Sequence, residues 1–138
     1  MNTYRYNEIS IGQSESFTAT ITQELMEQFA HMTGDTNPLH TDEDFAKMEG
    51  HSGRVAYGML TASFLSTLAG MYLPGKYSLI HEINTKFVKP VYIGDRLRIS
   101  GTVTEKNDSF RLMVVKVVVE NQDGNKVLRA IIKVGVGA

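Results

Sequence analysis

The segment Gly34-Asp35-Thr36-Asn37-Pro38-Leu39-His40 sets a carboxylate and an imidazole five residues apart with an Asn-Pro turn between them. A chain that doubles back through such a turn brings Asp35 and His40 onto one small volume. A carboxylate and a histidine around one water form an acid–base pair, each member worth about 10²–10⁴ in rate. Taken alone, the same residues also make an ordinary turn, because Asp and Asn start turns by bonding nearby backbone and Asn-Pro is a common loop dipeptide. His31, His51 and His81 show no metal-ligand spacing with His40, so no metal site is expected. A second signal is Val55-Ala56-Tyr57-Gly58-Met59-Leu60, at the start of a long uncharged stretch. The first N–H groups of a helix lack intrahelical acceptors and lie at the positive end of its dipole. A glycine there lets a ligand oxygen reach the main chain, which is how a backbone oxyanion site is built; it equally lets another segment pack closely.

The elements that must hold these groups follow from pattern. Ser14 to Thr20 reads as a short opening strand with Phe17 and Ala19 on one face. A helix is expected from about Thr22 to Thr33, where Leu25, Met26, Phe29 and Met32 recur at helical spacing, with Thr20 or Thr22 as cap and Gly34 beyond the end. Thr41 is expected to open a second short helix, with Asp44 completing a capping box. Ala56 to Leu73 reads as a third helix ended by Pro74-Gly75; being apolar on nearly all sides, it should be surrounded by protein. Tyr57, Gly58, Thr61, Ser63, Ser66, Thr67 and Gly70 make it a poor membrane span.

Strand patterns dominate the second half. Leu97, Ile99, Gly101 and Val103 alternate with polar residues, Phe110 to Val119 is almost continuously apolar, and Ala130, Ile132, Val134 and Val136 alternate again. Lys106-Asn107-Asp108-Ser109 and Gln122-Asp123-Gly124-Asn125 are hairpin turn signals. Consecutive hairpins with one apolar helix imply an α+β architecture, an antiparallel sheet wrapped around a helix. The 138 residues are expected to form a single domain, 1–138.

Composition narrows the function classes. Fourteen Lys and Arg against fifteen Asp and Glu leave a net charge of -1, without the basic excess that nucleic-acid binding uses. The absence of cysteine removes disulfides, thiolate metal sites and a cysteine nucleophile. The polar start MNTYRYNEISIGQ carries no secretory signal pattern. The expected compartment is therefore the cytoplasm, with no membrane partner.

GDTNPLH, followed by an acidic helix, and then AYGML resemble the MaoC-like hydratases, also called (R)-specific enoyl-CoA hydratases. A third segment, Phe87-Val88-Lys89-Pro90-Val91-Tyr92-Ile93-Gly94-Asp95, is similar to that family's aromatic, Pro-Val, Gly-Asp pattern. The resemblance runs from about Ile9 to the C-terminus. It implies a hotdog fold, a homodimer whose sheets join edge to edge, and no cofactor. It implies hydration of a trans-2-enoyl thioester of CoA or acyl carrier protein to the (R)-3-hydroxyacyl thioester, or the reverse dehydration. Asp35 and His40 become the catalytic pair, Asn37 a supporting polar residue, and Gly58 the N–H donor to the thioester carbonyl.

Ser66 falls where the family has a pocket serine. Tyr57 takes a position that is often His in the family, and Gly53-Arg54 replaces a usual Pro. With the thioester at Gly58 beside Tyr57, the acyl chain is expected along the helix toward Ser66 and Ala69, since Met59, Ala62, Ser63, Ser66 and Ala69 follow at helical spacings of three and four; the same small residues equally suit close packing against the sheet. Lys86 and Lys89 flank the third motif as candidate phosphate contacts or plain solvated lysines. The alternative readings are a hotdog thioesterase, a class lacking the Asp-x-Asn-Pro-x-His pattern, and a non-catalytic acyl-binding module.

Overall fold

The computed structural model describes residues 1–137. A 3₁₀ turn at Tyr6–Glu8 precedes β1 (Ser14–Thr20), α1 (Gln23–Thr33), α2 (Pro38–Thr41), α3 (Glu43–Met48) and α4 (Gly58–Thr67). A π-helical turn at Leu68–Tyr72 continues α4, and β2 (Ser78–Phe87), β3 (Arg96–Asn107), β4 (Leu112–Glu120) and β5 (Lys126–Val136) follow. The strands form one sheet in the order β1-β3-β4-β5-β2, antiparallel at every pairing. This is the expected hotdog arrangement, with α4 against the concave face.

Alternation dictates how the sheet grips the helix. Leu97, Ile99 and Val103 of β3, Val115 and Val117 of β4, and Leu128, Ile132 and Val134 of β5 all point inward and are buried with Leu65 and Leu68. Gly101 sits where the helix comes closest. A Cβ there would stand 2.7 Å from Leu68 Cδ2 and 3.0 Å from Val115 Cγ1. The glycine thus sets how near the helix lies to β3 and β4.

Several expectations change in detail. The helix at 22–33 forms, with the Thr22 hydroxyl accepting Leu25 N–H and Gly34 closing it at φ 76°. Met32, however, is 73% exposed, because the stripe that faces the core runs through Met26 and is flanked by Leu25, Phe29 and Ala30. The second helix is two short ones. Asn37 caps α2 by accepting Leu39 N–H, and Asp42, not Thr41, caps α3 by accepting Phe45 N–H.

Phe110 belongs to the turn before β4 and is exposed; Arg111 there adopts φ 48°. β2 escaped the pattern reading altogether. It is an edge strand with no fully buried position, so its sequence carries no clean alternation. Finally, α4 is not enclosed on all sides. Met59, Ser63 and Ser66 form an open face, next to the exposed Ile83 and Phe87 of β2.

Candidate active site

The Asp-to-His segment is shaped mostly by its own turn chemistry. Asp35 Oδ1 accepts Asn37 N–H at 3.1 Å, and Asn37 Oδ1 accepts Leu39 N–H at 2.9 Å. Pro38 stands at the start of α2, where its missing N–H costs nothing. Two nested turns and one helical turn carry the chain from Asp35 to His40. Both side chains line one cleft of about 860 Å³ with Tyr57, Gly58, Met59, Ala62, Ser63 and Ser66.

The imidazole is fixed from one side. His40 Nδ1 lies 2.7 Å from Val55 O. A carbonyl only accepts, so Nδ1 carries the hydrogen and neutral His40 presents a bare Nε2. The Tyr57 ring packs on the imidazole with centroids 4.2 Å apart, and Phe29 backs Tyr57 at 4.7 Å. Arg54 Nε donates to His40 O at 2.7 Å, and the Tyr57 hydroxyl donates to Asp35 O at 2.5 Å. Burial, then the Asp35 charge, raise the Tyr57 pKa above the usual phenol value, with Arg54 opposing. The hydroxyl therefore stays a donor throughout the neutral range.

Gly58 is the first residue of α4 and lines the same cleft, so its N–H has no intrahelical acceptor. A Cβ on it would stand 2.9 Å from Phe87 Cε1. The absence of a side chain at Gly58 thus admits the Phe87 ring. A smaller cavity of about 320 Å³ continues past His40 and Gly58 between Val55 and the Phe87–Val91 segment, and includes Lys89. Lys86 does not join it. It lies in a separate hollow with Lys116 and Arg129, because adjacent strand residues point to opposite faces.

Asp35, His40, Tyr57, Gly58, Met59, Ser63 and Ser66 are brought together. Ser63 spends its hydroxyl on Leu60 O at 2.6 Å. Asn37 is a cap that orients α2 rather than a cleft residue. Ala69 is a correction. It is 1% exposed and packs in the core beside Leu68 and one turn after Leu65, and the cleft lining on this helix ends at Ser66.

Residues the sequence reading missed are Phe29, Thr33, Thr61 and Phe87, which line the two cavities, and the grip of Arg54. Phe87 stands in the third motif and Phe29 in the helical repeat, so position marked both without showing their use. The Thr61 hydroxyl is buried without a hydrogen-bond partner among the described residues. Among those residues no cluster of three or more His, Asp or Glu suits a metal ion.

The model for the MaoC like domain matches residues 7–125. The chain belongs to the MaoC-like domain family. It is 37% identical over 125 residues to an (R)-specific enoyl-CoA hydratase of Rhodospirillum rubrum, covering 85% of this chain and 87% of that one. An (R)-specific enoyl-CoA hydratase of Aeromonas caviae is 29% identical over 116 residues, covering 84% of this chain and 87% of that one. The unliganded R-hydratase of Pseudomonas aeruginosa superposes with a TM-score of 0.90 at 29% identity, over 96% of this chain and 84% of that one. The solved (R)-hydratase of A. caviae gives 0.89 at 27% identity, over 94% and 98%.

Proposed function

We propose that this MaoC-like protein is a hydro-lyase that hydrates trans-2-enoyl-CoA to (R)-3-hydroxyacyl-CoA and catalyses the reverse dehydration. The observation that carries this reading is the meeting of Asp35, the bare Nε2 of His40 and the Gly58 N–H at one cleft. The names of its relatives point the same way. Acyl carrier protein thioesters are the alternative form of the substrate, since 3-hydroxyacyl-[acyl-carrier-protein] dehydratase of Arabidopsis thaliana is also similar, at 29% over 89 residues.

The thioester carbonyl accepts the Gly58 N–H, drawing electron density from C3. A water sits between Asp35 and His40. His40 Nε2 takes one of its protons as the oxygen attacks C3, while Asp35 accepts the other hydrogen bond and keeps a lone pair aimed at the carbon. Negative charge grows on the thioester oxygen, where the N–H and the helix dipole oppose it. A lost donor of this kind costs about 10²–10³ in rate. The proton held by the pair is returned at C2, so the pair ends as it began, and dehydration runs the same steps backward.

The protein is proposed to work as a homodimer. β2 is a sheet edge that leaves Leu79, Ile83 and Phe87 exposed, and a second copy pairing there would cover both the strand and the open face of α4. Light scattering at micromolar concentration should give about twice the chain mass of 15.4 kDa; a single-chain mass would count against it. No helix among the described residues is long and apolar enough to cross a membrane.

Crotonyl-CoA tests the reaction. Hydration removes the conjugated enoyl absorbance without freeing thiol, a thioesterase frees thiol, and a binding module does neither. Asp35→Asn and His40→Ala should each lower kcat by about 10²–10⁴ while far-UV CD is unchanged. Wild-type-like turnover in either variant would sink the assignment. Chain length provides a second check. Because the cleft ends at Ser66, Ser66→Leu should reduce turnover of six- and eight-carbon enoyl thioesters relative to the four-carbon one, at about 0.8 kcal/mol per lost methylene contact. Ala69→Leu should instead destabilise the fold. An unchanged chain-length profile for Ser66→Leu would mean that the acyl chain leaves by another route.

A further inference from the structure

Asp35, Thr36, Asn37 and Pro38 are all exposed, so no core packing fixes the backbone that carries the carboxylate. Bonds within the segment are local. Besides the two Asx turns, they include Asp35 N–H to Thr33 Oγ1, the Thr41 hydroxyl to the carbonyls of Thr36 and Asn37, and the backbone bonds of His40 N–H to Asn37 O and Asp42 N–H to Pro38 O. Such bonds shape a turn but do not anchor it to the rest of the molecule. The hydrogen bonds that reach 35–40 from distant described residues come from one short stretch, 54–57. Val55 N–H donates to Leu39 O at 3.1 Å and Val55 O accepts from His40 Nδ1. These two use the main chain of Val55, which any residue other than proline supplies. The other two depend on side-chain identity: Arg54 Nε to His40 O and the Tyr57 hydroxyl to Asp35 O.

We infer that Tyr57 and Arg54 are positioning residues that clamp the two ends of the catalytic segment, Tyr57 at Asp35 and Arg54 at His40. They stand at the two places where this chain departs from the pattern it otherwise resembles. Tyr57 is 2% exposed, and a buried phenol needs an acceptor; the Asp35 carbonyl supplies it. The same ring lies against His40, and its residue precedes Gly58. One side chain thereby sets the spacing of carboxylate, imidazole and backbone donor. Arg54 is backed from below, because Val55 bridges to Tyr92 and Ala56 N–H donates to Val91 O at 2.7 Å. The main chain between the two clamping side chains is therefore rooted in the stretch leading into β3.

The kinetic arm of the test rests on the enoyl-thioester reading; the exchange arm does not. Tyr57→Phe removes only the hydroxyl, Tyr57→Leu also removes the ring, and Arg54→Gln releases the other end. In the substrate-free protein, amide hydrogen exchange over 35–40 should quicken by about tenfold or more in Tyr57→Phe and in Arg54→Gln, with the strands unchanged. With crotonyl-CoA, kcat should fall roughly 10- to 100-fold in each while KM stays within about twofold, as expected for misplaced reacting groups. The His40 Cε1 proton resonance, under the Tyr57 ring, should hold its position in Tyr57→Phe and move in Tyr57→Leu. Unchanged exchange in both single variants would overturn the clamp. Faster exchange with unaltered kcat would overturn its positioning role. A wild-type protein inert toward crotonyl-CoA would refute the proposed reaction and leave the clamp to be decided by exchange and by the His40 resonance. Should Tyr57→Phe fail to fold, Arg54→Gln decides the outcome.

Discussion

The bond from His40 Nδ1 to the Val55 carbonyl, 2.7 Å long, is the contact on which the site depends. It selects the tautomer, leaves Nε2 of the cleft-lining His40 without a hydrogen, and ties α2 to the strand-like stretch that feeds α4. The neighbouring bond from Val55 N–H to Leu39 O makes the join two-stranded. Val55 and Ala56 are then fastened to Tyr92 and Val91. Loop, helix start and the stretch leading into β3 thereby share one ladder, and a shift in any of them would move His40 relative to the Gly58 N–H. Such a shift is costly, since displacements of about 1 Å can lower rates by about 10².

The rest of the fold divides between holding that ladder and leaving room beside it. Close approach at Gly101 lets Leu68 seat between β3 and β4, which fixes the axis of α4 and so the direction of its first N–H groups. Small and polar residues on the other side, Ala62, Ser63 and Ser66, keep a cleft open instead of filling it. A packed interior lacks voids of this size. The open face of α4, with Met59, Ser63 and Ser66, lies beside the exposed edge strand β2.

Much of this could be read in the residues. Asp35 and His40 were legible because turn chemistry is local: the Asn-Pro pair and two Asx turns decide the path between them. Gly58 was legible because a helix start exposes its own N–H groups. Ala69 misled because spacings of three and four fit two adjacent stripes of one helix. Only the contacts of Leu65 and Leu68 with the sheet show that Ala69 belongs to the buried one. β2 was hidden for the opposite reason: as an edge strand with both faces largely exposed, it shows no alternation to read. The grips of Tyr57 and Arg54 join side chains to carbonyls fourteen and more residues away, and nothing in local pattern encodes such a partner.

The tautomer of His40 is the most direct test of this account. With imidazole ¹⁵N labelling at a pH where His40 is neutral, Nδ1 should show the shift of a protonated, hydrogen-bonded nitrogen and Nε2 that of a bare one. Addition of a non-reactive acyl-CoA should perturb Nε2 alone. A protonated Nε2 in neutral His40, or a ligand response confined to Nδ1, would mean that the Val55 carbonyl does not hold the ring as described and that His40 does not face the water as a base.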